Sequence, residues 1–179
     1  MTRVLHVLDH SLPMHSGYTF RTRAILKAQQ AHGIEVRGIT GLRHLAGGPT
    51  PEEAEGLLFH RTRGQAKGPA GLREYREVSR LSAAIMQLAR DWRPDILHAH
   101  SPALCGMAAL RAGRALGIPV VYECAVPFRG VGTRFLHVVY TPETDDRRNV
   151  TGWIASIRFD SASVILTSVL RFGSCRISG

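Results

Sequence analysis

The chain has 179 residues, 44% hydrophobic and 21% charged, a balance that suits the core of about one ordinary domain and excludes a disordered chain. Its net charge of +9 would suit an anionic partner, but the 23 basic residues, all arginine except Lys27 and Lys67, are scattered rather than clustered, which argues against nucleic acid. The N-terminal apolar run is broken by His6 and stopped by Asp9, no run of about 18 apolar residues follows, and Cys105, Cys124 and Cys175 have no C-x-x-C spacing, so a soluble cytoplasmic protein with reduced thiols is expected.

Val4–Leu8 reads as a first strand. A polar loop, "HSLPMHSG" (residues 10–17), leads into a helix from about Tyr18 to Ala31, with Ala24, Ala28 and Ala31 recurring on one face and His32-Gly33 as the stop. Ile34–Ile39 is a second strand, residues 40–56 a loop rich in glycine and proline, Leu57–His60 a short third strand, and residues 61–71 a basic loop. From Leu72 to Trp92 the apolar positions Leu72, Tyr75, Val78, Leu81, Ile85, Leu88 and Trp92 step by three or four, the stripe of an amphipathic helix, and Pro94 ends it. "DILHAH" (95–100) is a fourth strand, Ala103–Leu116 a helix closed by Gly117, and "IPVVYE" (118–123) a fifth, apolar strand.

Alternating strands and helices predict an α/β fold, a Rossmann-like doubly wound parallel sheet. The usual strand order places the first strand beside the fourth with the switch point between them, so "HSLPMHSG" and "HAHSP" should face each other across one crevice. His98 and His100 point to the same side of their strand by period two; a zinc site built on the pair lacks a third ligand. Arg21 and Arg23 stand in the first helical turns, where their charge opposes the helix dipole and a phosphate partner would account for them as well as solvation does. Thr19 suits a cap, and His10 and His15 either line the crevice or face water.

The stretches "RVLHVLDHSLPMHSGYTFRTRAIL", "GLLFHRTR" and "RPDILHAHSPALCGMAALRAGRALGIPVVYE" together resemble the N-terminal, acceptor-side domain of a family 4 glycosyltransferase of the GT-B fold, most closely the exosortase-associated exopolysaccharide group of bacteria. The resemblance covers residues 1–123 and implies transfer of a sugar from a nucleotide-sugar donor, with retention and without a metal or other cofactor, in a cleft between two Rossmann-like domains. It implies that Ser16 and Gly17, with His15 and Arg21 beside them, lie against the donor diphosphate or the acceptor. It also implies that His100, followed by Ser101, is the active-site histidine. Glycine at position 17 suits this, having no Cβ to hold phosphate oxygens away. The implied partners are the donor and a glycan or lipid-linked acceptor, the latter allowing peripheral membrane association; the oligomeric state is open.

After Glu123 the pattern changes. Residues 132–158 alternate like two strands around "ETDDRRN", a β-hairpin similar to the closing strand pair of a PAS sensory domain, with "FDS" where Asp-Ile-Thr usually follows. Three segments are therefore expected: 1–123, a truncated glycosyltransferase N-terminal domain inactive without a donor-binding domain; 124–158, the hairpin; and 159–179, an irregular tail. A physical seam near Glu123 follows, with Phe135, Val139, Trp153 and Ile157 only partly covered. Two further readings stand beside this one: a PAS-type sensing or interaction module joined to a Rossmann-like domain, and a chimeric fragment without a function of its own.

Overall fold

A short, near-continuous apolar run suits a strand buried on both faces, and the N-terminal "RVLHVL" forms one as β1 (Arg3–Leu8), buried at every position after the first. In a computed structural model, which describes residues 1–45, 49–128, 132–144, 150–159 and 168–173, the chain continues through α1 (Gly17–Ala31), β2 (Glu35–Thr40), β3 (Glu52–Ala54), β4 (Leu57–Arg61), α2 (Leu72–Trp92), β5 (Ile96–His100) and α3 (Ala103–Leu116). Four longer or later strands follow: β6 (Val120–Phe128), β7 (Gly132–Thr144), β8 (Val150–Phe159) and β9 (Ser168–Gly173). All nine described strands form one sheet in the order β3-β4-β2-β1-β5-β6-β7-β8-β9. No helix among the described residues is long and apolar enough to cross a membrane.

The parallel centre, β4-β2-β1-β5-β6, has the expected doubly wound order, with β1 between β2 and β5. Residues of alternate parity feed two cores. On one face Leu5, Val7, Ile39, Leu97, Ala99 and Val120 pack under α2 and α3; on the other Val4, Leu8, Val36, Leu57 and Phe59 pack under Leu26 of α1 and Leu12 of the loop before it. α1 thus lies on one side of the sheet and α2 and α3 on the other, which makes the β1/β5 boundary the switch point. Burial of Leu81 and Ile85, at roughly 1.5–3 kcal/mol each, anchors α2 to the sheet.

Several expectations shift. The stripe of α2 is buried at Val78, Leu81, Ile85 and Trp92 and partly buried at Leu88, but Leu72 and Tyr75 in its first turns are exposed. The alanine face of α1 turns to water; the buried face carries Thr19, Thr22 and Leu26, and the hydroxyl of Thr22 is satisfied by donating to the carbonyls of Tyr18 and Thr19 at 3.1 Å. Within the loop 40–56, Glu52–Ala54 pairs antiparallel with β4 as a three-residue edge strand, too short to show alternation in sequence. Gly117, in the left-handed region, closes α3 as expected; Arg93, also left-handed, closes α2 just before Pro94.

The hairpin of residues 132–158 is present as β7 and β8, and it adds to the sheet antiparallel to β6 rather than folding apart. β6 runs without interruption from Val120 through Glu123 to Phe128, and β9 lies within the segment expected to be irregular. Val139 is half-buried; the side chains of Phe135, Trp153 and Ile157 lie outside the described residues.

Close packing of α3 on β6 depends on Gly113, where a Cβ would run into the Val120 side chain and stand 2.7 Å from the Ile118 carbonyl oxygen. Ala would gain about 1 kcal/mol of helix propensity but lose about 1–3 kcal/mol to overpacking. Gly113→Ala is therefore expected to lower the thermal midpoint, which a melt by circular dichroism would register.

Candidate active site

The loop after β1 is built by its own short-range hydrogen bonds. Ser16 is the N-cap of α1: its Oγ accepts the Thr19 N–H at 3.0 Å, so Thr19 is the capped residue and Ser16 the cap. His10 bridges backwards, with Nε2 2.8 Å from Ser16 Oγ and Nδ1 3.2 Å from Asp9 Oδ2, and its ring packs 4.7 Å from that of Tyr18. The Tyr18 hydroxyl accepts the Asp9 N–H at 3.1 Å, and burial raises that phenol well above its ordinary pKa. His44 joins the same loop by accepting the Ser11 N–H at 3.4 Å. Gly17 opens the helix, exposed, with no atom within 4 Å of where a Cβ would stand. His15 is exposed, its ring 5.5 Å from Phe20.

A buried arginine that the sequence reading passed over holds this loop from behind. Arg61, the last residue of β4, donates through Nη1 to Ser11 Oγ at 2.6 Å and to Thr40 Oγ1 at 3.5 Å. Through Nη2 it donates to the Leu12 carbonyl and to Glu52 Oε2, both at 2.6 Å, and through Nε to the same carboxylate oxygen at 3.0 Å. Only a planar guanidinium offers donors in that fork. The pairing also explains the edge strand β3, since Glu52 must come to Arg61.

Across the switch point, β5 ends at His100 and Ser101. The Ser101 N–H donates to the Glu123 carbonyl at 2.9 Å, and its hydroxyl to the same oxygen at 3.3 Å. The Glu123 carboxylate, 5% exposed, forms an ion pair with Arg21 from the second turn of α1, and Oε2 lies 3.7 Å from His98 Nε2. Glu123 thus ties β6 to the helix beginning at the β1 loop, a role invisible in a residue read only as a strand end. The charges of Arg21 and Arg23 are met within the chain, by Glu123 and, at the surface, by Glu55, so a phosphate is not required to account for them.

The two histidines of "HAH" do share one side of β5, with rings stacked 4.3 Å apart. Their exposures differ. His100 is buried, 1% exposed, beneath α1, and His98 is the more accessible of the two. The third imidazole the pair was thought to lack is His6, which the parallel register of β1 places opposite His98. Gln29 Oε1 accepts from His6 Nε2 at 2.9 Å, which leaves Nδ1 of the neutral ring to accept from His100 Nε2 at 3.0 Å. Burial pulls the His6 pKa down to about 4 and keeps that ring neutral. Strand order and period two together would have found His6, had the register been counted from the strand starts. A shallow surface recess lies on the other side of β1, lined in part by Asp9, Arg43, Glu77 and Cys105, and does not include Gly17 or His100.

The glycosyl transferase 4-like domain family matches residues 16–168, and the chain belongs to that family. The match runs past Glu123, where the sequence reading ended the resemblance, and takes in the β7–β8 hairpin. Sucrose-phosphate synthase from Thermosynechococcus elongatus is similar in structure with a TM-score of 0.52 at 11% identity, over 68% of this chain and 32% of that one. MurG from Acinetobacter baumannii gives 0.46 at 16% identity, over 69% and 35%. A deacetylase in the biosynthesis pathway of teicoplanin gives 0.48 at 13% identity, over 73% and 70%. The chain therefore spans about a third of the length of the first two, and the likeness is one of fold. No curated protein matches the chain.

Arg61→Ala would leave the partly buried Glu52 without its cation and free the Ser11–Leu12 backbone, an expected loss of roughly 3 kcal/mol. That corresponds to a midpoint lower by roughly 6–12 °C. Arg61→Lys should recover only part of it, and equal melts for all three proteins would show that the latch contributes nothing.

Proposed function

We propose that this glycosyl transferase 4-like chain forms the acceptor-side wall of a sugar-transfer cleft in the cytoplasm. There a nucleotide-activated sugar passes to a glycan or lipid-linked acceptor, as in exopolysaccharide or glycoconjugate synthesis, with retention and with no metal at the diphosphate. One observation carries the reading: the α1 N-terminus opens at the switch point with Gly17 exposed and open space where its Cβ would be. The first N–H groups of a helix have no intrahelical acceptor, and a glycine lets phosphate oxygens come close to them. In the step itself the bond from the sugar's anomeric carbon to the phosphate oxygen breaks, the acceptor oxygen bonds on the same face, and the acceptor proton leaves with the diphosphate. Helix N–H groups then stabilise the charge growing on the leaving oxygen, which is work that a metal would otherwise do. His15, Ser16 and Gly17 stand on the β1 side of this crevice, Ser101 on the β5 side, and His100 with the Arg21–Glu123 pair forms its floor.

A cleft of this kind works with two walls, which position donor and acceptor and exclude water. The 179 residues on their own, about a third of the length of two of the proteins they resemble, are proposed to bind nucleotide sugars weakly and to turn none over. A PAS-type module finds less support, because β7 and β8 extend the parallel sheet and no helix follows α3 among the described residues.

Gly17→Ala separates binding from folding. Nothing crowds the added methyl, so the melting midpoint should hold or rise slightly, while calorimetric titration with nucleoside diphosphates should show affinity reduced severalfold. Unchanged affinity would remove the α1 N-terminus from the site. Product-release assays with common nucleotide sugars should give no steady turnover by the 179-residue chain, and sustained release would refute the need for a second wall.

A further inference from the structure

We propose that His6, His98 and His100 form a buried binding site for a zinc-type divalent cation where β1 meets β5. Each ring offers one nitrogen, and the three lie within 4.8 Å of one another. The arrangement follows from topology: His6 and His98 are register partners on adjacent parallel strands, and His100 comes two residues further on, on the same face. Ring centroids are 5.0 Å apart for His6 and His98, 5.3 Å for His6 and His100, and 4.3 Å for His98 and His100. Three imidazoles from two strands are a His₃ donor set, which suits zinc and leaves one coordination position for water or a carboxylate.

The surroundings meet the other requirements of such a site. Gln29 accepts the Nε2 proton of His6 and so aims the Nδ1 lone pair at the cluster, the outer support that metal-bound histidines usually have. His6 Nδ1 and His100 Nε2 stand 3.0 Å apart with one proton between them. Two nitrogens bound at about 2.0–2.1 Å to a tetrahedral zinc are about 3.3 Å apart, so a cation could replace that proton with a shift of a few tenths of an ångström. Buried positive charge also needs an anion nearby, and the Glu123 carboxylate, whose other oxygen pairs with Arg21, lies 3.7 Å from His98 Nε2. His98, the least buried of the three, is the ring that turns inward and the path by which an ion enters. The site shares His100 and Glu123 with the floor of the proposed crevice, but its test reads metal binding alone and does not depend on sugar transfer.

The test uses the full chain stripped with a chelator and titrated with zinc by calorimetry and with cobalt(II) by visible absorption. One equivalent should bind, giving the intense ligand-field bands of a four-coordinate nitrogen and oxygen site without thiolate charge-transfer absorption, and zinc should raise the melting midpoint. His98→Gln, which keeps a polar side chain of similar size, should weaken binding by about 100-fold and abolish the zinc-induced rise. Gln29→Leu should weaken it about 10-fold, the usual cost of losing an outer-sphere partner, and serves as the second variant should His98→Gln fail to fold. Absence of binding by folded wild-type protein, binding undiminished in the variants, or thiolate bands pointing to the cysteines would each overturn the proposal.

Discussion

The pairing of β1 with β5 is the constraint on which the rest of the structure depends. Those strands run parallel in register from Val4 and Ile96 to Val7 and Ala99, and the chain winds outward from them in both directions. A right-handed crossover from β1 puts α1 on one face, and the crossover from β5 puts α3 on the other, so only here do two loops diverge and leave a crevice. The same pairing brings His6 against His98 and His100, and it places the α1 N-terminus beside the end of β5. Slipping the register by one residue would send the histidines to the α2 and α3 side and break both cores at once.

Charge is spent inside the fold more than on a partner. The net +9 suggests an anion-binding surface, yet Arg61 is consumed by Glu52 and the Ser11–Leu12 loop, Arg21 by Glu123, Arg23 by Glu55 and Arg43 by Glu77. These pairs are not equivalent. Arg23 and Glu55 are both more than 40% exposed on their side chains, where an ion pair contributes about 0–1 kcal/mol, whereas Arg61 at 5% sits where losing the partner is costly. The proposed site therefore relies on backbone N–H groups at a helix start, with Arg61 holding the preceding loop from behind and the charge of Arg21 already met by Glu123.

The helix that carries the site is unusual in what it buries. α1 presents Thr19, Thr22 and Leu26 to the sheet, with Gln29 reaching His6, so its contact face is polar. The Thr22 hydroxyl donates to the helix's own carbonyls and so costs little to bury, and hydrogen bonds link Gln29 to His6 and His6 to His100. This polar seam between α1 and β1 explains why the alanines face water: the helix is oriented by specific hydrogen bonds rather than by an apolar stripe.

The sequence by itself determined the strands and helices of the parallel region, the doubly wound order, the hairpin after residue 132 and the loops that meet, because each rests on a local period or on stop signals such as Gly117 and Pro94. Period two was enough to put His98 and His100 on one side of their strand. Only the tertiary structure decided what stands opposite them, since His6 reaches the pair through a register set by packing 92 residues away from His98. It also decided that His100 is buried, that Glu123 and Arg61 turn inward, and that β6 continues into the hairpin as one sheet. Burial and ion pairing depend on which distant surfaces arrive at a residue, and no local pattern in the chain records that.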